Sequence, residues 1–177
     1  FPTRRSSDLF ASPILLYSDF HQLLELDDSH YRHARLSMSF TPGEGLEQAL
    51  LRLCEEAKTA ARAGAVLLVL SDRQIAPDRL PIPAAMAVGA LQRTLVEADL
   101  RCDCNLIVET ATARDPHHFA VLLGFGATAI YPYLAYESLA KMVDDGTLPL
   151  TLRQVLKNYR TGIEKGLYKV MSKMGIS

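Results

Sequence analysis

The stretch NLIVETATARDPHHFAVLLGFGATAIYPYLAYE, from Asn105 to Glu137, decides the fold class. Asn105 to Val108 is a short apolar run, ended by the polar pair Glu109 and Thr110. Asp115-Pro116 then gives a helix start, because Asp accepts from free backbone N–H groups and Pro suits the first helical position. Gly124 and Gly126 bracket Phe125 and stop that helix early. Ala127 to Tyr131 is again strand-like, and Pro132 opens another helix. Two strands joined this briefly through a helix are most simply parallel neighbours, with polar residues at their carboxyl ends gathered on one rim.

Working outward, 177 residues and 49% hydrophobic content suit one domain with a real core. A net charge of −1 carries no signature of a nucleic-acid binder. The longest clean apolar run, Ala65 to Leu70, is far short of a membrane span. Three cysteines, odd in number and unpaired in pattern, fit a reducing, cytoplasmic setting. Residues 1–9, FPTRRSSDL, look like a translated sequencing adapter and are set aside as a non-native scar. Together with the closing run SKMGIS, they lead to the expectation of a fragment of a longer protein.

Upstream of the central stretch, Ser12 to Leu16 is a brief apolar piece. Asp19 caps a predicted two-turn helix to Leu26, and Asp27 to His33 is loop-like. Ala34 to Phe40 alternates, with Leu36, Met38 and Phe40 opposite Arg35, Ser37 and Ser39, as in one strand at a sheet edge. Leu46 to Ala63 is an amphipathic helix, with Leu46, Ala49, Leu50, Leu53, Cys54 and Ala57 on its apolar face. Ala65 to Leu70 reads as a strand covered on both sides. Pro83 opens a helix over Ala84 to Ala98 whose apolar residues, Met86 and Val96 included, run nearly all round and predict deep burial. In the helix from Pro132 to Asp145, Leu134, Ala135, Leu139, Met142 and Val143 are expected inward. Thr151 caps a last helix, and Gly162 and Gly166 weaken its far half. The whole is α/β with β/α alternation: a parallel sheet of about four strands, an open sheet or part of a barrel, plus a C-terminal helix.

The candidate chemistry sits where three strands end: Ser71, Asp72 and Arg73; Glu109, Thr110 and Arg114; Tyr131. In parallel α/β folds that edge is where ligands bind. One reading is a pocket whose arginines hold a carboxylate or phosphate. The blander one is that Asp72, Arg73, Glu109 and Arg114 pair with one another and fix the loops, and it is the commoner arrangement. His117 and His118 are adjacent, not four apart as helical zinc pairs are, so helix-start packing accounts for them better. Cys102 and Cys104 would face the same side of a strand, and their one-residue spacing is not that of redox or zinc pairs. Gly124-Phe125-Gly126 precedes a strand and is no dinucleotide fingerprint. The last segment is basic, with Arg153, Lys157, Arg160, Lys165, Lys169 and Lys173 against Glu164. A solvated face docking on an acidic neighbour suits it better than nucleic acid, since no aromatic stacking platform accompanies it.

Four long segments in order resemble the central domain of the glutamate synthase large chain: SPILLYSDF (12–20), LVLSDRQIAPDRLPIPAAMAVGALQ (68–92), VETATARDPHHFAVLLGFGATAIYPYLAYESL (108–139) and NYRTGIEKGLYKVMSKMGIS (158–177). The resemblance implies part of a multidomain flavoenzyme that makes two L-glutamates from L-glutamine and 2-oxoglutarate with reductant from NADPH or ferredoxin. An amidotransferase domain with a cysteine nucleophile, and an FMN domain with an iron–sulfur cluster, would lie elsewhere in that chain. A small NADPH-oxidising subunit would be a further partner. Residues 10–172 would then be the central domain, truncated at its N-terminal side, and 173–177 the start of the junction to the FMN domain. None of Cys54, Cys102 or Cys104 matches the amidotransferase nucleophile, so no catalytic, cofactor-binding or metal-binding residue carries over. The implied role is positional, holding two active sites in register and shaping an ammonia channel. Two rivals stay open: a self-contained enzyme binding a small anion at the strand ends, and a module docking through its basic last helix.

Overall fold

A computed structural model describes residues 12–26 and 31–176. The adapter-like residues 1–9 and most of the expected Asp27–His33 loop lie outside them. The elements run α1 (Tyr17–Leu24), β1 (His33–Ser37), β2 (Ser39–Phe40), α2 (Leu46–Arg62), β3 (Leu67–Ser71), β4 (Leu80–Pro81), α3 (Ala84–Glu97), β5 (Asn105–Glu109), α4 (Pro116–Gly124), β6 (Ala129–Tyr131), α5 (Tyr133–Asp144) and α6 (Leu152–Met174). Strands β1, β3, β5 and β6 form a four-stranded parallel sheet in that order, as the alternation predicts. Because the order never reverses, successive crossovers stack their helices on the same face, which is barrel-like winding rather than the two-sided winding of an open sheet.

That helix-covered face carries Leu68, Leu70, Leu106, Val108 and Ile130, packed with apolar residues of α2, α3 and α4. The opposite, concave face presents Leu67, Val69, Ile107, Ala129 and Tyr131, and α1 and α5 fill it with Phe20, Leu23, Tyr133 and Tyr136. The first described residues make this closure possible. Ile14 pairs in parallel with Ile130, Leu15 N donating to Ile130 O at 2.9 Å, so the segment before α1 extends the sheet beyond β6. From there α1 lies over the concave face on the way to β1 at the opposite edge.

Several local expectations are corrected. The N-cap of α1 is Leu16, not Asp19, which sits at the third helical position and reaches back to accept from Leu16 N at 3.1 Å; the helix ends at Leu24 with Leu26 exposed. The alternating run 34–40 is two strands: Met38 N turns to Ser71 O, and β2 pairs antiparallel with β4 in a separate small sheet. Leu36, Met38 and Phe40 are buried as the alternation predicts, but so is Ser39, whose hydroxyl donates to Gln74 O at 3.0 Å, so the wetter side ends at Ser37. Met86 and Val96 are exposed, so α3 is only half sunk in the core. On α5 the inward residues are Tyr133 and Tyr136; Met142 is exposed and the other four expected residues are half-buried. Cys102 and Cys104 lie in the turn leading to β5, one exposed and one buried, while Cys54 is buried on α2 as its spacing predicts.

Helix α6 runs unbroken through both glycines. At Gly166 a Cβ would collide with the Pro116 ring of α4, so the missing side chain lets the two helices touch. The cost in helix propensity is about 1 kcal/mol and is met by this packing. Ile163 and Leu167 join the helix-side core, while Leu156 and Tyr159 reach the concave one, so α6 bridges both. Thr151 caps its start, as predicted, and Gly175 in the left-handed region ends it.

Candidate functional site

Register explains the site. Ser37, Ser71, Glu109 and Tyr131 are directly paired across β1, β3, β5 and β6, so they form the final row of the concave face at the carboxyl edge. Asp72 and Thr110 follow one residue later, and the ladder runs on through Asp72 N to Glu109 O and Thr110 N to Tyr131 O.

Glu109, 2% exposed, is the hub. Its Oε2 accepts from Ser71 Oγ at 2.6 Å and from Arg35 Nη2, and its Oε1 accepts from Arg73 Nε at 2.9 Å. Arg73 also donates to Glu137 on α5 at 2.9 Å, and its guanidinium lies 4.3 Å from the centre of the Tyr133 ring. A buried carboxylate is tolerable only when its lone pairs are met by such donors. Beside it, Asp72 accepts from Thr110 Oγ1 at 2.6 Å and from Ala111 N at 3.1 Å. Burial pushes the Asp72 carboxyl above its ordinary value, against the pull of these hydrogen bonds.

Of the sequence-predicted site residues, Ser71, Asp72, Arg73, Glu109 and Thr110 come together. Tyr131 is in the same row but stacks on Phe20 with ring centres 4.4 Å apart, and burial raises its phenol. Arg114 lies apart: its backbone carbonyl accepts from Tyr159 Oη, and among the described residues no ion pair links it to the cluster. Of the expected pairings, Arg73–Glu109 forms, whereas Asp72 is held by neutral donors. Arg35, Glu137 and Tyr133 complete the site unforeseen. The alternation in 34–40 already placed Arg35 and Ser37 on one side; only the register with β3 and β5 shows that this is the side of Glu109.

Elsewhere, Asp115 accepts from the backbone N–H groups of His117 and His118, which accounts for that pair as a helix start. Among the described residues no three His, Cys, Asp or Glu side chains gather as a metal site, and no helix is long and apolar enough to cross a membrane. Three cysteines dispersed over α2 and a turn do not fit an iron–sulfur cluster, which needs converging thiolates. Nor do the residues fit a flavin ring: the β5–β6 half of the concave face is filled by Phe20, Tyr131, Tyr133 and Tyr136, and the open carboxyl ends of β1 and β3 are lined mostly by charged and polar groups.

Comparison with known proteins decides the family. A family model described as "Glutamate synthase central domain" matches residues 4–177. The chain belongs to the glutamate synthase central-domain family. It is 37% identical over 166 residues to the glutamate synthase [NADPH] large chain of Bacillus subtilis, covering 94% of this chain and 11% of that protein. It is 36% identical over 192 aligned positions to ferredoxin-dependent glutamate synthase 1 of Arabidopsis thaliana, covering 99% of this chain and 12% of that protein. The central domain therefore spans only a small part of the length of the curated relatives it matches. A sulfite-bound flavocytochrome b2 variant superposes with a TM-score of 0.59 over 92% of this chain and 36% of its own, at 15% identity, a likeness of fold alone.

Proposed function

We propose that this central domain works inside a glutamate synthase, the enzyme that converts L-glutamine, 2-oxoglutarate and reductant into two L-glutamates. Its part there is to hold an amidotransferase domain and an FMN-binding synthase domain of the same polypeptide in register and to help wall the ammonia route between them. The observation that carries this reading is the match of nearly the whole chain to one region of much longer glutamate synthases. The physical logic agrees with it. Ammonia released into water at neutral pH is mostly protonated and lost as a nucleophile, so two sites that share it gain from a fixed, enclosed spacing. The apolar helix-side core and the unbroken α6 make a stiff spacer.

In this proposal FMN and the iron–sulfur cluster belong to the neighbouring synthase domain. Ferredoxin or a small NADPH-oxidising subunit serves as the electron source, and the setting is cytoplasmic. The test uses the full-length enzyme carrying Gly166→Leu, which forces α6 away from α4. Glutamine hydrolysis should then exceed glutamate synthesis, while synthesis from added ammonium persists. Retention of one-to-one coupling in a variant shown to be displaced at α6 would count against the spacer role. Flavin absorbance copurifying with the isolated 177-residue chain would overturn the assignment of FMN to a neighbour.

A further inference from the structure

The concave face is filled over most of its length, Leu67 and Val69 of β3 included, but at the carboxyl ends of β1 and β3 a cleft of about 450 Å3 is lined by Arg35, Leu36, Ser37, Ser71, Arg73 and Gln74. We propose that this cleft binds a small carboxylate- or phosphate-bearing molecule, gripped between the guanidinium groups of Arg35 and Arg73. Both side chains are anchored on the same buried Glu109, one on each carboxylate oxygen, yet they remain 49% and 40% exposed. A guanidinium carries five N–H donors, and these contacts leave several of them for a second acceptor. Two arginines, Glu109 and the exposed Glu137 sum to zero charge, but among the described residues Glu137 pairs with Arg73 alone, and it is solvated. Arg35, Arg73 and Glu109 together keep one positive charge at the cleft, while the neighbouring Asp72 is turned to Thr110 and Ala111 and does not line it.

The setting favours a ligand over a purely structural ion pair. The cleft stands at the carboxyl ends of adjacent parallel strands, where β/α folds place their ligands. Anchoring on Glu109 fixes the two arginines beforehand, so an arriving anion orders fewer side-chain rotamers. Ser37 Oγ and Gln74, joined at 3.4 Å, add neutral polar groups at the margin. An incoming anion competes with Glu137 for Arg73, and that competition separates the two possibilities experimentally. The proposal concerns this chain's own cleft and does not depend on the spacer role.

The test is a titration of the chain with inorganic phosphate and, separately, with succinate, followed by backbone amide shifts and calorimetry. Saturable binding of either probe is expected, with shifts centred on Ser37, Arg73 and Gln74, and the stronger probe identifies the anion class. Arg35→Gln and Arg73→Gln should each weaken binding tenfold or more with the circular dichroism spectrum unchanged. Glu137→Gln, at an exposed position, should tighten it several-fold. No saturable binding of either probe, or equal affinity in wild type, Arg35→Gln and Glu137→Gln, would overturn the proposal.

Discussion

The two faces of the parallel sheet are closed in opposite ways. The helix face is sealed by α2, α3 and α4, each following the strand it covers, with Leu, Val and Ala side chains interlocked. The concave face depends on a contact between distant parts of the chain: Ile14 pairs with Ile130, and Arg160 of α6 reaches Asp19 of α1. It is also built of different material, a chain of aromatic contacts from Phe20 through Tyr131 and Tyr136 to Tyr159 beside a charged rim. Even the burial is less complete in its chemistry, because the enclosed Tyr136 hydroxyl finds no partner among the described residues. Local closure gives a rigid wall, and distant closure gives a face whose stability is separable from it.

The largest expected effect comes from Phe20→Ala, at a position 1% exposed. Loss of a fully buried ring costs about 3–5 kcal/mol, read as a lowered denaturation midpoint. Hydrogen exchange should quicken in α1 and β6 before it does in α2 and α3; equal loss of protection on both sides would break the comparison. Glu109→Gln comes next. It leaves two arginines without their shared charge and should cost about 1–3 kcal/mol, moderated by the solvent that reaches both guanidiniums.

Gly166→Ala should cost about 1–3 kcal/mol through overpacking, whereas Gly162→Ala, where a methyl meets open space, should stabilise by about 0.5–1 kcal/mol. Equal effects in thermal melts would remove the special place of Gly166. The smallest effect is a pH dependence at Asp72. A carboxyl raised on folding contributes stability that is fully present below its unfolded pKa and is lost as pH rises through the folded value. Wild type should therefore lose ground to Asp72→Asn as denaturation is moved from acidic to neutral pH. A constant difference across that range would show that Asp72 titrates normally.

Most of the helix face was legible in the sequence, because spacing in α2 reports burial directly and the apolar run at 65–70 marks a strand covered on both sides. The concave face was not. Tyr133 and Tyr136 read as ordinary helix residues until the packing of α5 is known; on the helix face the misreadings are Met86 and Val96 of α3, which read as core although they are exposed. Ser71, Arg73 and Glu109 could be grouped from their place after consecutive strands, since parallel topology implies a shared rim. Arg35 enters that rim only through register, and Arg114 leaves it because its loop turns toward α6. Pairing across a sheet and the direction of a loop are properties of the folded chain that no local window encodes.

Helix α6 spans about 34 Å at 1.5 Å per residue and bears on Pro116 at Gly166, nearer its C-terminal end. Leu156, Tyr159, Ile163 and Leu167 seat the same rod in both cores along its middle, so a bulkier residue at position 166 would have to lift that whole seam rather than one tip.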